Sequence, residues 1–167
     1  MSRKYDFNEK GELWRGNNTS EYLHRPFDIS RRTKVAMISN GEVITDVEPT
    51  NGCVRVMTSD GVVGTLSHLD ISHNPTTFAA SLKKVAGYGA AVILNGGENE
   101  SYFSGALIGG LFRALKNEGF KVAPLEDENC NDVDGYFART ATLSKNGAEV
   151  VRTNGTKKET IRLKFPR

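Results

Sequence analysis

The sequence contains very little cysteine. Cys53 and Cys130 are its only two cysteines, and neither belongs to a Cys-x-x-Cys pair. Two cysteines do not build a disulfide framework, and the missing pair spacing argues against a zinc ribbon or a dithiol redox site. We therefore expect reduced thiols and a cytoplasmic protein.

Long apolar runs are also missing. The most apolar stretch, residues 106–112, is followed by Arg113 and is far too short to cross a bilayer. The first fourteen residues carry charges throughout, so we expect no secretory signal. These two features predict a protein that does not contact a membrane.

The charge is nearly balanced in total but unevenly distributed. The 167 residues are 38% hydrophobic and 25% charged, with a net charge of +2, which is typical of a globular chain of one domain or two small modules. Residues 118–134 hold six acids and one base, whereas residues 139–167 hold eight bases and two acids. The total charge disfavours a strongly basic nucleic-acid binder, but the basic tail keeps a local nucleic-acid surface open.

The first half of the chain predicts an irregular arm followed by a small barrel. Residues 1–27 are polar with scattered aromatics and show no sustained period. Residues 28–73 contain short β-branched runs that meet at Asn40-Gly41 and Asp60-Gly61, both of which are strong hairpin signals. Several short strands joined by tight turns favour an SH3-like or OB-like β-barrel.

The remainder, residues 76–167, predicts a mixed αβ portion. A helix after Pro75 is followed by a buried strand at 90–94, a helix at about 100–118 and a strand at 120–125. Lys145-Asn146-Gly147 then marks a hairpin, and residues 160–165 alternate as a last strand. The predicted fold class is therefore α+β, with a small barrel packed against an αβ portion that ends in a β-hairpin, as two units or as one compact unit.

Neither loop with an unusual composition fits a cofactor or metal motif. Residues 94–101 join a strand to a helix but contain glutamates and no phosphate-binding glycine pattern. The acidic loop at 126–134 fails the calcium-loop spacing at both ends, and a solvated acidic turn is favoured over a divalent site. We assign no cofactor and no metal ligand.

The helix at 100–118 carries a face of small residues. Gly105 and Gly109 lie on this face, and glycine lowers helix stability by about 1 kcal/mol relative to alanine, so something should approach closely. Packing on the protein's own sheet is favoured. A second copy or a protein partner, bound through this helix or the N-terminal arm, is the alternative.

A nucleophilic site needs a Ser or Cys beside a His. Cys53 and His68 could approach each other across the 54–66 hairpin, although their spacing matches no known motif. A small hydrolase or nucleotide-handling enzyme therefore remains one alternative, and no residue is assigned as catalytic.

Basic residues near the predicted strands form the largest candidate set. Lysine and arginine on one face of a small barrel can follow a phosphate backbone while aromatics stack on bases. The sequence therefore favours a non-enzymatic nucleic-acid-binding accessory protein for single-stranded DNA or RNA, with a structural or partner-binding assembly protein as the alternative. The candidate contacts are Arg31, Arg32, Arg55, Lys83, Lys84, Arg152, Lys157, Lys158, Arg162 and Lys164.

One family resemblance supports the same interpretation. Arg31-Arg32, the string GEVITDVEPTN at 41–51, VRVM at 54–57, Asp60-Gly61 and GTL at 64–66 appear in the order typical of the HIRAN domain. The resemblance covers residues 28–94 and implies an OB-like barrel that holds single-stranded DNA ends. It implies DNA-facing roles for Arg31, Arg32 and the 54–66 hairpin, while Thr65 replaces the aromatic of the family pattern.

Overall fold

The computed structural model describes residues 25–49, 53–96, 102–124, 138–154 and 156–167. These residues form an α+β fold with two sheets, as the sequence predicts. The elements in chain order are α1 (Ile29–Arg32), β1 (Thr33–Met37), a 3₁₀ turn (Ile38–Asn40), β2 (Ile44–Pro49), β3 (Val54–Ser59), β4 (Val63–Leu69), α2 (Pro75–Leu82), β5 (Ala91–Gly96), α3 (Tyr102–Asn117), β6 (Lys121–Val122), β7 (Ala138–Ser144), β8 (Gly147–Asn154) and β9 (Lys157–Leu163).

The central sheet has five strands in the order β1-β4-β3-β5-β6. Its first four strands are antiparallel, and β6 pairs in parallel with β5 after the α3 crossover, as expected for the predicted βαβ unit. The second sheet has four antiparallel strands in the order β2-β7-β8-β9. Its β7–β8 hairpin turns at the predicted Asn146-Gly147.

The hairpin predicted for residues 54–66 is confirmed as β3 and β4. The side chain of Asp60 accepts hydrogen bonds from the backbone N–H groups of Val62 at 2.8 Å and Val63 at 2.7 Å. Gly61 has φ +89°, a conformation that residues with a side chain rarely adopt. The local turn chemistry therefore fixes this hairpin and its register.

The hairpin predicted at Asn40-Gly41 is wrong. A turn does form there, with Gly41 at φ +87°, but the strands on either side of it belong to different sheets. β1 pairs with β4, and β2 pairs with β7, so the turn carries the chain from the central sheet to the second sheet. Among the described residues, the segment 28–73 therefore contributes three strands to one open sheet and one strand to another, with no closed barrel.

Helices α2 and α3 cover one face of the central sheet. Asn74 caps α2 by accepting from the N–H groups of Thr76 and Thr77, and Pro75 occupies the first turn. The buried residues on this side include Val54, Val56, Leu69, Phe78, Leu82, Val92, Leu94, Leu107, Leu111 and Leu115. Burial of these side chains is the main force that holds the helices on the sheet.

Helix α3 lies close to the start of α2 at Gly110. A Cβ atom added at Gly110 would lie 2.8 Å from Cγ of Pro75, closer than packed carbon atoms allow. Ala106 and Ala114 on the same helix are buried. The small residues thus permit a close helix contact within the chain.

The opposite face of the central sheet packs on the second sheet. Met57, Leu66 and Ile93 of the central sheet share a core with Leu143 and Val150 of the second sheet. Gly64 is where the two sheets come closest, because an added Cβ would lie 2.9 Å from Cγ2 of Ile38 and 3.0 Å from Cδ2 of Leu143. The layer order is therefore helices, central sheet, second sheet.

Candidate functional site

A cluster of charged side chains lies between the two sheets at one end of this core. Arg55 of β3 and His68 of β4 are directly opposite each other in the central sheet. Asp46 comes from β2 of the second sheet, and its Oδ2 lies 2.8 Å from Nε of Arg55 and 3.3 Å from Nδ1 of His68. One carboxylate oxygen thus joins a guanidinium and an imidazole across the sheet interface.

Strand alternation explains why Arg55 points into this interface. Successive side chains of a strand face opposite sides, so Val54 and Val56 contact the helices while Arg55 and Met57 face the second sheet. Arg55 has no exposed surface, and a buried guanidinium is tolerated only with compensating partners. Asp46 supplies the negative charge, and Oδ1 of Asn95 on the neighbouring strand β5 accepts from Arg55 at 3.2 Å.

The surroundings of Asp46 hold it in the ionised form. Burial by itself would raise the pKa of this carboxyl, but the hydrogen bonds from His68 and Arg55, together with their charges, lower the pKa of Asp46 to about 2. An ionised carboxylate can only accept hydrogen bonds, so Nδ1 of His68 must carry the proton in this contact. In the neutral form of His68, Nε2 is then the basic nitrogen.

Cys53 directly precedes the β3–β4 register that pairs Arg55 with His68. If the strand alternation extends one residue before β3, Cys53 is the diagonal neighbour of His68, and diagonal pairs are about 7–8 Å apart, within reach of a long side chain. Cys53 is half-buried, which leaves part of this residue accessible.

Cys53, His68 and Asp46 are the residue types that form nucleophilic triads, with a thiol, an imidazole and a carboxylate. A thiol is activated by a neighbouring imidazole, and the imidazole is oriented by a carboxylate bound to its other nitrogen. His68 retains 26% side-chain exposure, Asp46 is less exposed at 15% and Arg55 is fully buried. The cluster is therefore open to solvent on its histidine side and closed on its arginine side.

Cys53 and His68 were named from the sequence as a candidate pair, but Asp46 was not included. The signal was available, because Ile44 is a core residue of β2 and Asp46 follows two positions later on the same strand face. A carboxylate at an inward-facing strand position needs a buried hydrogen-bond donor or positive charge as its partner. The partner strand could not be identified from the sequence, since Asp46 meets β3 and β4 only when the two sheets are stacked.

A second cluster of aspartate, histidine and arginine lies just after β4. Asp70 contacts Arg25 at 2.9 Å, Arg32 at 3.6 Å and the ring Nδ1 of His73 at 3.4 Å. His73 is buried and meets the ring of Phe27 edge-on, with ring centres 5.2 Å apart. Burial lowers the pKa of His73, with the positive charges of Arg25 and Arg32 acting in the same direction against the attraction of Asp70.

This second cluster closes the beginning of the described chain onto the turn before α2. The backbone N–H of Arg25 donates to the carbonyl of Ser72, and the N–H of Asn74 donates to the carbonyl of Arg25, both at 2.8 Å. The guanidinium of Arg25 also lies 2.9 Å from Nε2 of His73. These contacts connect the start of the described chain to the turn before α2, and we call this second cluster the structural latch.

The arginines predicted to bind nucleic acid are divided between the surface and the interior. Arg31 and Arg32 are exposed on α1, where they lie 3.9 Å from Asp28 and 3.6 Å from Asp70. Arg55 is fully buried and Arg152 is largely buried, with a 2.9 Å contact to Glu159 directly across the β8–β9 pair. Their burial leaves Arg55 and Arg152 little or no surface for a phosphate.

The remaining predicted contacts lie on several different elements. Lys83 contacts Glu118 at 3.1 Å, and Arg162 lies 3.7 Å from Glu149 on the neighbouring strand. Lys84, Lys158 and Lys164 are exposed, and the side chain of Lys157 lies outside the described residues. The structure therefore brings Arg152, Lys157, Lys158, Arg162 and Lys164 to the β8–β9 region and leaves the others on α1, β3 and the end of α2.

Neither a metal site nor a membrane-spanning helix is found in the described parts of the chain. No group of three or more His, Cys, Asp or Glu side chains there could hold a metal ion, and no helix there is long and apolar enough to cross a membrane. The acidic segment 126–134 lies outside the described residues.

Comparison with known proteins does not assign the chain to a family. No protein-family model matches it, and no curated protein matches it significantly. The geometry of the cluster around His68 therefore carries the functional argument by itself.

Proposed function

We propose that the protein is a cysteine-dependent acyl-transfer enzyme, in its simplest form a hydrolase of an amide or ester. Cys53 is the nucleophile, His68 is the general base and Asp46 orients His68. The observation that supports this proposal best is the contact between Nδ1 of His68 and Oδ2 of Asp46, because it makes Nε2 the basic nitrogen of the neutral ring, on the strand pair that Cys53 directly precedes.

The reaction needs only these three side chains and water. Nε2 of His68 takes the proton of the Cys53 thiol, and the sulfur attacks the substrate carbonyl carbon. The leaving amine or alcohol departs with the proton from Nε2, and a thioester to Cys53 remains. Water then attacks the thioester while His68 accepts its proton, which releases the carboxylic acid and restores the thiol. Asp46 stabilises the imidazolium formed in each half of the cycle.

The test uses the full chain and a panel of acyl probes. p-Nitrophenyl acetate reports ester cleavage, and glutamine- and asparagine-containing peptides assayed for ammonia report amide cleavage. Cys53→Ala and His68→Ala should each lower the rate of any cleaved probe by about a thousandfold or more. Cys130→Ser is the matched control because it removes the other thiol.

An acyl adduct found by mass spectrometry on Cys53 would support the proposal directly. Full activity in Cys53→Ala, or an acyl adduct found on Cys130 only, would overturn it. Alkylation of Cys53 by iodoacetamide provides a test that needs no substrate. The rate of alkylation should be lower in His68→Ala than in the parent.

Binding to single-stranded nucleic acid through the HIRAN-like segment 28–94, for which the sequence predicts an SH3-like or OB-like barrel, is a second proposal. Its support is the exposure of Arg31, Lys84, Lys158 and Lys164. It expects affinity for single-stranded DNA or RNA that falls steeply with salt. If no binding is detected at low salt, this proposal is dropped.

A partner-binding role is a third proposal and is favoured by an exposed strand edge. Within the described ranges β1 pairs only with β4, and its side chains Val35 and Met37 are exposed although apolar. Apolar edge strands are sites of strand addition between chains. Light scattering after size-exclusion chromatography should then show an oligomer that Val35→Lys converts to a monomer.

A further inference from the structure

Arg55 is the member of the polar cluster that the acyl-transfer mechanism leaves without a role. It lies between the two sheets with no exposed surface, so it cannot contact a substrate in solution. Its Nε donates to the same oxygen of Asp46 that lies beside Nδ1 of His68. Any movement of this guanidinium therefore moves or discharges the carboxylate that orients the histidine.

The arrangement uses properties specific to arginine. The planar guanidinium donates in two directions, from Nε to Asp46 of the second sheet and from a terminal nitrogen to Asn95 of β5. An arginine stays protonated at every pH at which a protein folds, so the positive charge beside Asp46 is permanent. A lysine ammonium would supply the charge and three donors, but all on one nitrogen, so it lacks the fixed spacing between Nε and a terminal nitrogen.

We propose that Arg55, held by Asn95, is a positioning residue for the triad: it fixes the carboxylate of Asp46 in place and in its charged form beneath His68. This inference rests on the proposed acyl-transfer function and deepens it. Asp46 belongs to the second sheet while His68 and Cys53 belong to the central sheet, so Arg55 also keeps the two halves of the site in register.

The groups that face Asp46 determine how its loss would appear in a pH profile. They are Arg55 from β3 and His68 from β4, and Lys34 of β1 lies nearby with its Nζ 2.8 Å from the carbonyl of Thr45. Without Arg55 the carboxylate keeps burial, which raises its pKa, and loses one of its two hydrogen-bond donors. The carboxylate then becomes protonated at a higher pH, and His68 loses its orienting partner there.

The experiment measures the rate of Cys53 alkylation by iodoacetamide as a function of pH, in a Cys130→Ser background. Arg55→Met removes the charge and keeps a side chain of similar length. We expect alkylation at about pH 6 to be roughly tenfold slower than in the parent, with the acidic limb displaced to higher pH. Arg55→Lys should recover part of the rate, and Asn95→Ala should give a smaller loss in the same direction.

Thr58→Val is the matched control. Thr58 is buried on the same strand as Arg55 but faces the helices, where its hydroxyl bonds that of Thr65. This variant tests whether a disturbance of β3 alone alters the reactivity of the Cys53 thiol. It should leave the pH profile of alkylation unchanged. Circular dichroism confirms that each variant is folded before alkylation is measured.

Three results would overturn the inference. In the first, Arg55→Met keeps the parent rate and pH profile while His68→Ala slows alkylation, so that Arg55 is structural only. In the second, Arg55→Met does not fold and Asn95→Ala shows an unchanged profile. In the third, His68→Ala leaves the rate of alkylation unchanged, in which case the proposed acyl-transfer function fails as well. The His68→Ala result therefore separates failure of the role of Arg55 from failure of the proposed function.

Discussion

The strand β4 and the turn that follows it carry two clusters with the same three residue types but opposite arrangements. In the first, Asp46 joins a fully buried Arg55 to His68, which is 26% exposed. In the second, Asp70 joins an exposed Arg25 to His73, whose side chain is 2% exposed. The buried group is the arginine in one case and the histidine in the other.

This difference decides which histidine can take part in chemistry. A general base must reach a proton on another molecule or on a nucleophile, and His68 has both an open side and a cysteine directly before its partner strand. His73 is enclosed by Phe27, Asp70 and Arg25, and its pKa is lowered by burial. Composition alone therefore does not separate a candidate active site from a structural latch, whereas burial does.

The largest expected effect separates the two histidines by activity. His68→Ala should reduce the cleavage of a responsive acyl probe by about a thousandfold or more, because the thiol loses its base. His73→Ala should change the rate of the folded fraction by less than about threefold, since His73 lies outside the cluster that holds Cys53. Equal losses of activity in the two folded variants would contradict the comparison.

Stability should show the reverse order. His73→Ala removes a buried ring that packs on Phe27 and bonds at both nitrogens, so we expect it to lower the free energy of unfolding by about 2–3 kcal/mol. His68→Ala should cost less than about 1 kcal/mol because His68 is partly exposed. Urea unfolding monitored by circular dichroism provides both free energies of unfolding.

At acid pH, the free energy of unfolding should depend on the ionisation of Asp46. Its pKa is about 2 in the fold against 3.8 for an unperturbed aspartate, so the unfolded chain binds the proton more tightly. The resulting stabilisation is complete above pH 3.8 and is lost as the pH falls toward 2. We expect the stability difference between the parent and Asp46→Asn to shrink by about 2 kcal/mol over this window. A constant difference would mean that Arg55 and His68 do not hold the charge.

The smallest effect is expected from His73 and in a different pH window. Because its pKa is lowered from 6.5 in the fold, the unfolded chain binds more protons below that pH, and folding stability decreases as the pH falls below 6.5. His73→Asn should remove this part of the pH dependence, whereas Asp46→Asn should retain it. Unfolding midpoints measured from neutral pH down to about pH 5 would resolve the two contributions.

The parts of the fold that depend on local chemistry could be predicted. Asp60-Gly61 and Asn146-Gly147 fix hairpins because their backbone conformations and side-chain bonds suit tight turns. The helices after Asn74 and before Gly119 were also predicted, from capping residues and apolar spacing. Asn40-Gly41 has the same local signal, yet it joins two sheets, because the pairing of β2 with β7 is not encoded near the turn.

The candidate site was only half predictable for the same reason. Cys53 directly precedes the hairpin that carries His68, and the pairing of Arg55 with His68 follows from a register that the sequence itself fixes. Arg55 and Arg152 were interpreted as surface cations, since sequence alone does not show that the fold buries them. Asp46 was missed because its partners lie in another sheet.

The sequence by itself determined the turns, the strand alternation, the two main helices and the hairpin that pairs Arg55 with His68, because these depend on neighbours along the chain. Tertiary structure alone decided that Asp46 meets His68 and Arg55, and that His73 is closed off while His68 remains open. Both outcomes follow from stacking one sheet on the other, which buries charges that survive only where an opposite charge arrives from a distant strand.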